Sequence, residues 1–156
     1  ELMEAGREFN IKPFGGRALM SMRLEKNWGA WTLDYRPDFT AKQTGLDMFI
    51  NWDKDFIGKE KAKSENSSSK LTPLIVETND IDVTNNEAVM NGDQSIGYVT
   101  SGGFAHFVNK SVAFTFIDQN KIKSENKIQI EINGDLFNCS VIKEPLYDPS
   151  GQKMRS

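Results

Sequence analysis

Gly97-Tyr-Val-Thr-Ser-Gly-Gly-Phe-Ala-His-Phe-Val-Asn-Lys-Ser-Val-Ala-Phe-Thr-Phe-Ile117 decides the fold. Tyr98 and Thr100 alternate with Val99 and Ser101, the period of a strand with two unlike faces. Gly102-Gly103 then predicts a break, whether a bulge, a corner or a close backbone approach. From Ser111 to Ile117 nearly every residue is apolar, β-branched or aromatic, which fits a strand covered on both faces. A chain that turns this way inside a β-rich half is expected to close a small barrel.

Working outward, Ala88-Val-Met90 and Ser95-Ile96-Gly97-Tyr98 flank Asn91-Gly92-Asp93, a hairpin signal. Leu71 to Thr78 reads as a strand. Its Pro73 cannot donate to a ladder, so it is expected at a sheet edge or at the strand's start. Asp80 to Glu87 reads as a loop. Further on, Ile128-Gln-Ile-Glu-Ile132 alternates, Asn133-Gly134 supplies a two-residue turn, and Leu136 to Ile142 returns. Glu144-Pro-Leu-Tyr-Asp-Pro149 leaves the sheet as an extended tail. Five or six short antiparallel strands of this kind make a small barrel or sandwich.

Ser64-Glu-Asn-Ser-Ser-Ser-Lys70 is polar and low in complexity, and the period before it is helical. The chain therefore reads as α+β, with a helical and mixed segment over residues 1–66 and a small antiparallel β-barrel over 70–150. Leu2, Ala5 and Phe9 mark one face of a helix from Glu1 to Phe9, which Pro13 stops. Arg17 to Lys26 predicts a second amphipathic helix, with Leu19, Met22 and Lys26 on one side and Ala18, Met20 and Leu24 thickening the stripe. Its methionines are expected in core packing. Thr40 caps a short helix from Ala41, with Gly45 past its end. Leu46 to Trp52 alternates loosely, as a strand would, and Asp55 is placed to cap a helix over Phe56 to Glu65. Between these lies Asn27 to Pro37, with Trp28, Trp31 and Tyr35 close together. Such a cluster either plugs a helical subdomain or walls a flat ligand.

Composition removes several classes of function. A length of 156 residues allows a real core. The net charge of −3, with 19 Lys and Arg mixed among 22 Asp and Glu, argues against a nucleic-acid surface. No apolar run nears the ~18 residues of a membrane span, and no signal peptide is visible. The one cysteine, Cys139, cannot form an internal disulfide, so a reducing compartment, the cytoplasm, is expected. A single histidine excludes a histidine-rich metal centre, and no metal ligand set is expected. His106, between Phe104 and Phe107, reads as structural, and Cys139 as a small filler in an alternating strand. There is no P-loop, no dinucleotide fingerprint, no His-Glu-x-x-His and no Cys-x-x-Cys. Because the chain opens inside a helical pattern without a cap, it is expected to be a fragment of a longer protein.

Arg17-Ala-Leu-Met-Ser-Met-Arg-Leu-Glu-Lys26, Trp31, Phe56-Ile-Gly-Lys-Glu60, Gly97-Tyr-Val-Thr-Ser-Gly-Gly-Phe104 with Asn109-Lys-Ser111, and Glu144-Pro-Leu-Tyr-Asp-Pro149 together resemble the glycine-cleavage T-protein superfamily. Three of these pieces look most like the folate-binding portion of dimethylglycine and sarcosine dehydrogenases. The resemblance implies passage of a one-carbon unit from a methylated amine to tetrahydrofolate. It also implies three subdomains around the folate, the last a small β-barrel. It covers only the C-terminal half of such a unit, so the parent's missing N-terminal half is an expected partner, with self-association of the fragment. The parent of the dehydrogenase branch carries an upstream domain that can hold FAD. The family's catalytic aspartate and a pterin-binding glutamate lie upstream too, so no catalytic residue is expected here. The resemblance implies four folate-site candidates. Trp28 falls at the family's aromatic position. Arg17 lies two positions from Leu19, where T-proteins have a folate-binding arginine. Tyr147 and Arg155 belong to the tail that in T-proteins returns to the ligand. The other expectations are a stand-alone T-protein, a folate-dependent demethylase, or a non-catalytic folate-fold module.

Overall fold

A computed structural model of the chain describes residues 1–78 and 81–155. The predicted loop from Asp80 therefore begins outside the described residues. Among them, six strands close into a barrel: β1 (Ser69–Val76), β2 (Ala88–Asn91), β3 (Gln94–Ala105), β4 (Lys110–Asp118), β5 (Ile128–Ile132) and β6 (Asp135–Val141). Their order around the barrel is β1-β4-β3-β2-β5-β6, and β6 pairs back onto β1. Closure leaves no exposed edge, which is why strands this short suffice.

The inward-facing set is Leu74, Val76, Val83, Val89, Ile96, Val99, Ala113, Ile117, Ile130 and Ile132, all buried in one cluster. β4 is buried from Ser111 to Ile117, so both of its faces are covered. Ala113 and Ile117 face the barrel core, while Val112 and Phe114 join Leu24, Ala105 and Ile142 outside it. The turns follow their residues. Gly92 stands at φ 63° between Asn91 and Gln94, and Asn133-Gly134, at φ 54° and 91°, joins β5 to β6.

The break predicted at Gly102-Gly103 does not occur, and β3 runs through to Ala105. The irregularity lies at Thr100, where the register with β4 shifts between Val99 and Ser101. Close approach is what Gly102 supplies: a Cβ there would stand 2.8 Å from the Val83 carbonyl oxygen. Pro73 lies inside β1, opposite Phe114 of β4. On its other flank its carbonyl accepts from the Ile142 N–H at 2.9 Å, one step past the last β1–β6 pair. The missing donor thus falls at the end of that ladder.

The first 66 residues fold differently. α1 (Leu2–Ala5) ends at Gly6 and passes into a 3₁₀ turn over Arg7–Phe9, so the predicted nine-residue helix is broken. Glycine is a poor helix former, and here its carbonyl accepts from both Phe9 and Ile11. α2 (Gly16–Glu25) matches the expected helix within a residue. α3 (Ala41–Thr44) carries a full capping box between Thr40 and Gln43 and stops at left-handed Gly45. Leu46 to Trp52 is not a strand. Phe49 and Ile50 donate to the carbonyls of Leu46 and Asp47, so the backbone is satisfied within a 3₁₀ turn. α4 (Lys59–Ser64) starts after Gly58, whose left-handed φ of 88° prevents an earlier start from Asp55.

The α2 stripe is not core. Leu19, Met20 and Met22 are 51%, 36% and 42% exposed. The chain exposes 10722 Å², against about 7,900 Å² for a compact monomer of this mass. Leu2, Met3, Phe9, Ile11 and Phe14, on α1 and the turns that follow it, are exposed as well.

Candidate functional site

The site is built at the C-terminal end of α2, whose last turn is the only buried part of the helix: Arg23, Leu24 and Glu25. Leu24 packs on Val112 and Phe114 of the barrel. Glu25 accepts from the Phe107 N–H at 2.6 Å, and its carbonyl accepts from the Tyr147 N–H at 3.0 Å. Lys26 donates to the Asp148 carbonyl at 2.7 Å and pairs with its carboxylate at 3.4 Å. The C-terminal tail is thereby tied to the end of α2. Asp148 is held below the usual carboxylate range by donors from Lys153, Lys26 and Gln152, against desolvation, which works the other way.

The helix ends in a Schellman turn. Asn27 adopts left-handed φ 54°, its N–H donates to Leu24 O at 3.1 Å, and the Trp28 N–H donates to Arg23 O at 2.9 Å. That geometry fixes where Trp28 leaves the helix. Its indole meets Tyr35 edge-on at 5.7 Å and Phe49 at 6.1 Å, and remains 47% exposed. Gly29 has no positive φ. It is needed because a Cβ there would lie 2.7 Å from the Tyr35 ring, and its N–H donates to the Tyr35 hydroxyl at 3.0 Å.

Below the loop lies a buried polar network. The Asp34 carboxylate, fully buried, receives Arg23 Nη1 at 2.9 Å, the Ala30 N–H at 2.7 Å, the Ser101 hydroxyl at 2.7 Å and the Thr100 hydroxyl. It joins α2, the aromatic loop and the irregular point of β3. Burial lowers the Arg23 pKa against the opposing pull of Asp34, and burial raises that of Tyr35.

Trp28 borders two hollows. The larger, about 480 Å³, is lined by Leu19, Met22, Arg23, Lys26, Trp28 and Met154. The smaller, about 240 Å³, lies on the Tyr35 and Phe49 side and reaches Phe114. A third hollow, near Trp52 and Lys61, shares no lining residue with these two. Among the described residues no cluster of His, Cys, Asp and Glu could hold a metal ion.

The candidates taken from sequence are not gathered in one place. Trp28 lines the hollow. Arg17 and Arg155 are exposed and outside its lining. Tyr147 is half-buried, edge-on to Phe107 at 4.6 Å and beneath the Lys153 ammonium. Met154, next to Arg155, is the tail residue that reaches the hollow. Trp31 does not pack as a plug: it is 76% exposed and touches Tyr35 by an edge. Sequence reading missed Met154 and the Asp34 network. Met154 carries no local signal, and Asp34 meets Thr100 and Ser101 across more than sixty residues. His106 is exposed against Phe104, and Cys139 is half-buried, its thiol pushed up to about 12 by burial.

A six-stranded closed barrel, with the end of an Arg-Leu-Glu helix and a returning tail on its side, defines the class. The chain belongs to the glycine cleavage T-protein family. Residues 70–148 match the glycine cleavage T-protein C-terminal barrel domain, and residues 1–54 match the GCVT N-terminal domain. It is 33% identical over 93% of its length to the mitochondrial dimethylglycine dehydrogenase of Mus musculus, of which it spans 17%. It is 30% identical over 94% of its length to an aminomethyltransferase of Pseudothermotoga lettingae, of which it spans 41%. The crystal structure of the glycine cleavage aminomethyltransferase from Bartonella henselae shares the fold. The TM-score is 0.74 at 22% identity, covering 85% of this chain and 38% of that one. The chain thus corresponds to less than half of each of these relatives. No helix among the described residues is long and apolar enough to cross a membrane.

Proposed function

We propose that this chain is the C-terminal portion of a tetrahydrofolate-dependent, aminomethyltransferase-type unit, and that Trp28 forms part of its folate wall. The observation that carries the proposal is a half-exposed indole, set by a Schellman turn, on an apolar hollow of about 480 Å³. A flat pterin or benzoyl ring fits beside an indole, with about 0.5–1.5 kcal/mol gained beyond area burial. Tetrahydrofolate, when bound, accepts the one-carbon unit of an N-methyl or aminomethyl donor. The chain's own part is to orient and shield: Leu19, Met22 and Met154 keep water from the ring, and the Asp34 network holds the loop rigid. Among the described residues no carboxylate lines this hollow, and we assign proton transfer to or from the amine to the rest of the parent.

Among parents of this family we favour the one-carbon-transfer part of a dimethylglycine or sarcosine dehydrogenase, with methylated amine as substrate and FAD in a separate domain. The support is similarity to the dehydrogenase over nearly the whole chain. Equivalent similarity to aminomethyltransferases keeps a stand-alone T-protein as the second reading. We further propose that residues 1–66 end the folate domain and 70–150 form the barrel domain. The exposed α1–α2 stripe is then the docking face for the other half, and the chain self-associates when that half is absent. The half-buried thiol of Cys139 supports a reducing compartment, the cytoplasm.

Calorimetric titration of tetrahydrofolate into the 156-residue chain is expected to saturate at one-to-one binding, with no turnover of dimethylglycine or sarcosine. Lack of saturable binding, or turnover by this chain alone, overturns the proposal.

A further inference from the structure

Arg23 carries a feature that the folate reading does not use. Its Nη1 donates to Asp34 Oδ2 at 2.9 Å and to the Trp28 carbonyl at 3.3 Å. Its Nε and Nη2 are buried and have no hydrogen-bond partner among the described residues. The side chain as a whole is only 8% exposed. Nε–H and Nη2–H lie parallel on one edge of the planar fork, the edge that matches the two oxygens of a carboxylate. Buried donors left unpaired are costly, and native structures keep few of them.

The space next to Arg23 suits such an occupant. Arg23 lines the hollow together with Leu19, Met22, Lys26, Trp28 and Met154. The walls are apolar except for the two cations. Asp34 does not need the whole fork, because Ala30, Thr100 and Ser101 also donate to it. Arg23 can therefore serve a second carboxylate while keeping the first. Entry requires a hollow side chain to swing aside. Met22, Trp28 and Met154, at 42%, 47% and 75% exposed, are placed to do so by ordinary rotamer motion.

We propose that the Nε/Nη2 edge of Arg23 is a carboxylate-binding edge, and that its occupant is a small carboxylic acid whose apolar or aromatic body lies in the hollow between α2, Trp28 and Met154. The inference stands whether or not folate binds, because a probe with neither pterin nor glutamate suffices to test it.

The test follows the Arg23 Nε–H resonance by NMR while sodium benzoate is titrated into the chain at constant ionic strength. A saturable shift is expected. Benzamide, which has the same ring without the charge, should bind at least tenfold more weakly, as should benzoate to the Arg23→Lys variant. If that variant fails to fold, the benzamide comparison on the unaltered chain decides. No shift with benzoate, an equal response to benzamide, or the same shift with chloride overturns the proposal. A shift that follows protein concentration without benzoate assigns the edge to a side-chain carboxylate of a second copy, and overturns it too.

Discussion

The barrel and the helical segment bury their apolar side chains in opposite ways. In the barrel, Leu74, Val89, Val99, Ala113, Ile117 and Ile130 are fully buried against one another. In residues 1–66, Leu24 and Tyr35 are the only large apolar side chains buried among the described residues. Leu24 packs on the barrel, and Tyr35 packs over Gly29 beside the network that reaches it. Leu19, Met20 and Met22 have the right spacing for a core but stay about half exposed. A hydrophobic period marks a face for burial; it does not say what does the burying. Where the partner surface lies within the same chain, the pattern closes into a core. Where it does not, the face stays open.

The contrast can be broken first at Asp34, which ties the two regions together. Removing one partner of a buried pair leaves the other charge uncompensated, at a cost of about 3–5 kcal/mol. Asp34→Ala is expected to lose that much in urea unfolding and to speed amide exchange in α2 more than in β4. Uniform loss across both regions would count against a joining role. Next is Leu74→Ala, expected to cost about 2–5 kcal/mol because the closed barrel cannot collapse around the cavity. Met22→Ala on the open stripe should stay within about 0.5 kcal/mol while reducing self-association in light scattering. Equal costs for these two would erase the distinction between the regions.

An effect confined to alkaline pH concerns Cys139, whose thiol is raised to about 12 by burial in the barrel wall. The unfolded thiol ionises near the ordinary value of 9.0. Its contribution is therefore complete below that pH and is lost as pH rises from there toward 12. Cys139→Ala should flatten the fall in stability over that window. An unchanged slope would show that another group controls it.

Most of the barrel was legible because its signals are local. Gly92 and the Asn133-Gly134 pair adopt the left-handed backbone their turns need, and Ser111 to Ile117 is buried on both faces, as its composition requires. The Gly102-Gly103 pair left bulge, corner and close approach open because glycine serves all three, and here Val83 against Gly102 makes it close approach while the strand continues. Leu46 to Trp52 misled because a loose alternation over a short span also fits a 3₁₀ turn. The position of Trp28 just past the end of α2 was legible in the sequence. Asp34, Thr100 and Ser101 were not, since polar residues carry no period that shows burial. Met154 was not legible either, because its place depends on how the tail is tied to Glu25 and Lys26.

Trp28→Ala tests the functional account most directly, with tetrahydrofolate affinity and melting temperature measured together. Trp28 is 47% exposed and makes two edge-on ring contacts, so its loss should cost about 1 kcal/mol. That corresponds to a fall of about 2–4 °C in melting temperature for a chain of this size. Affinity should drop at least tenfold if the indole walls the folate. A stability loss of about 3–5 kcal/mol, with affinity unchanged in the folded fraction, would make Trp28 a plug and contradict the account.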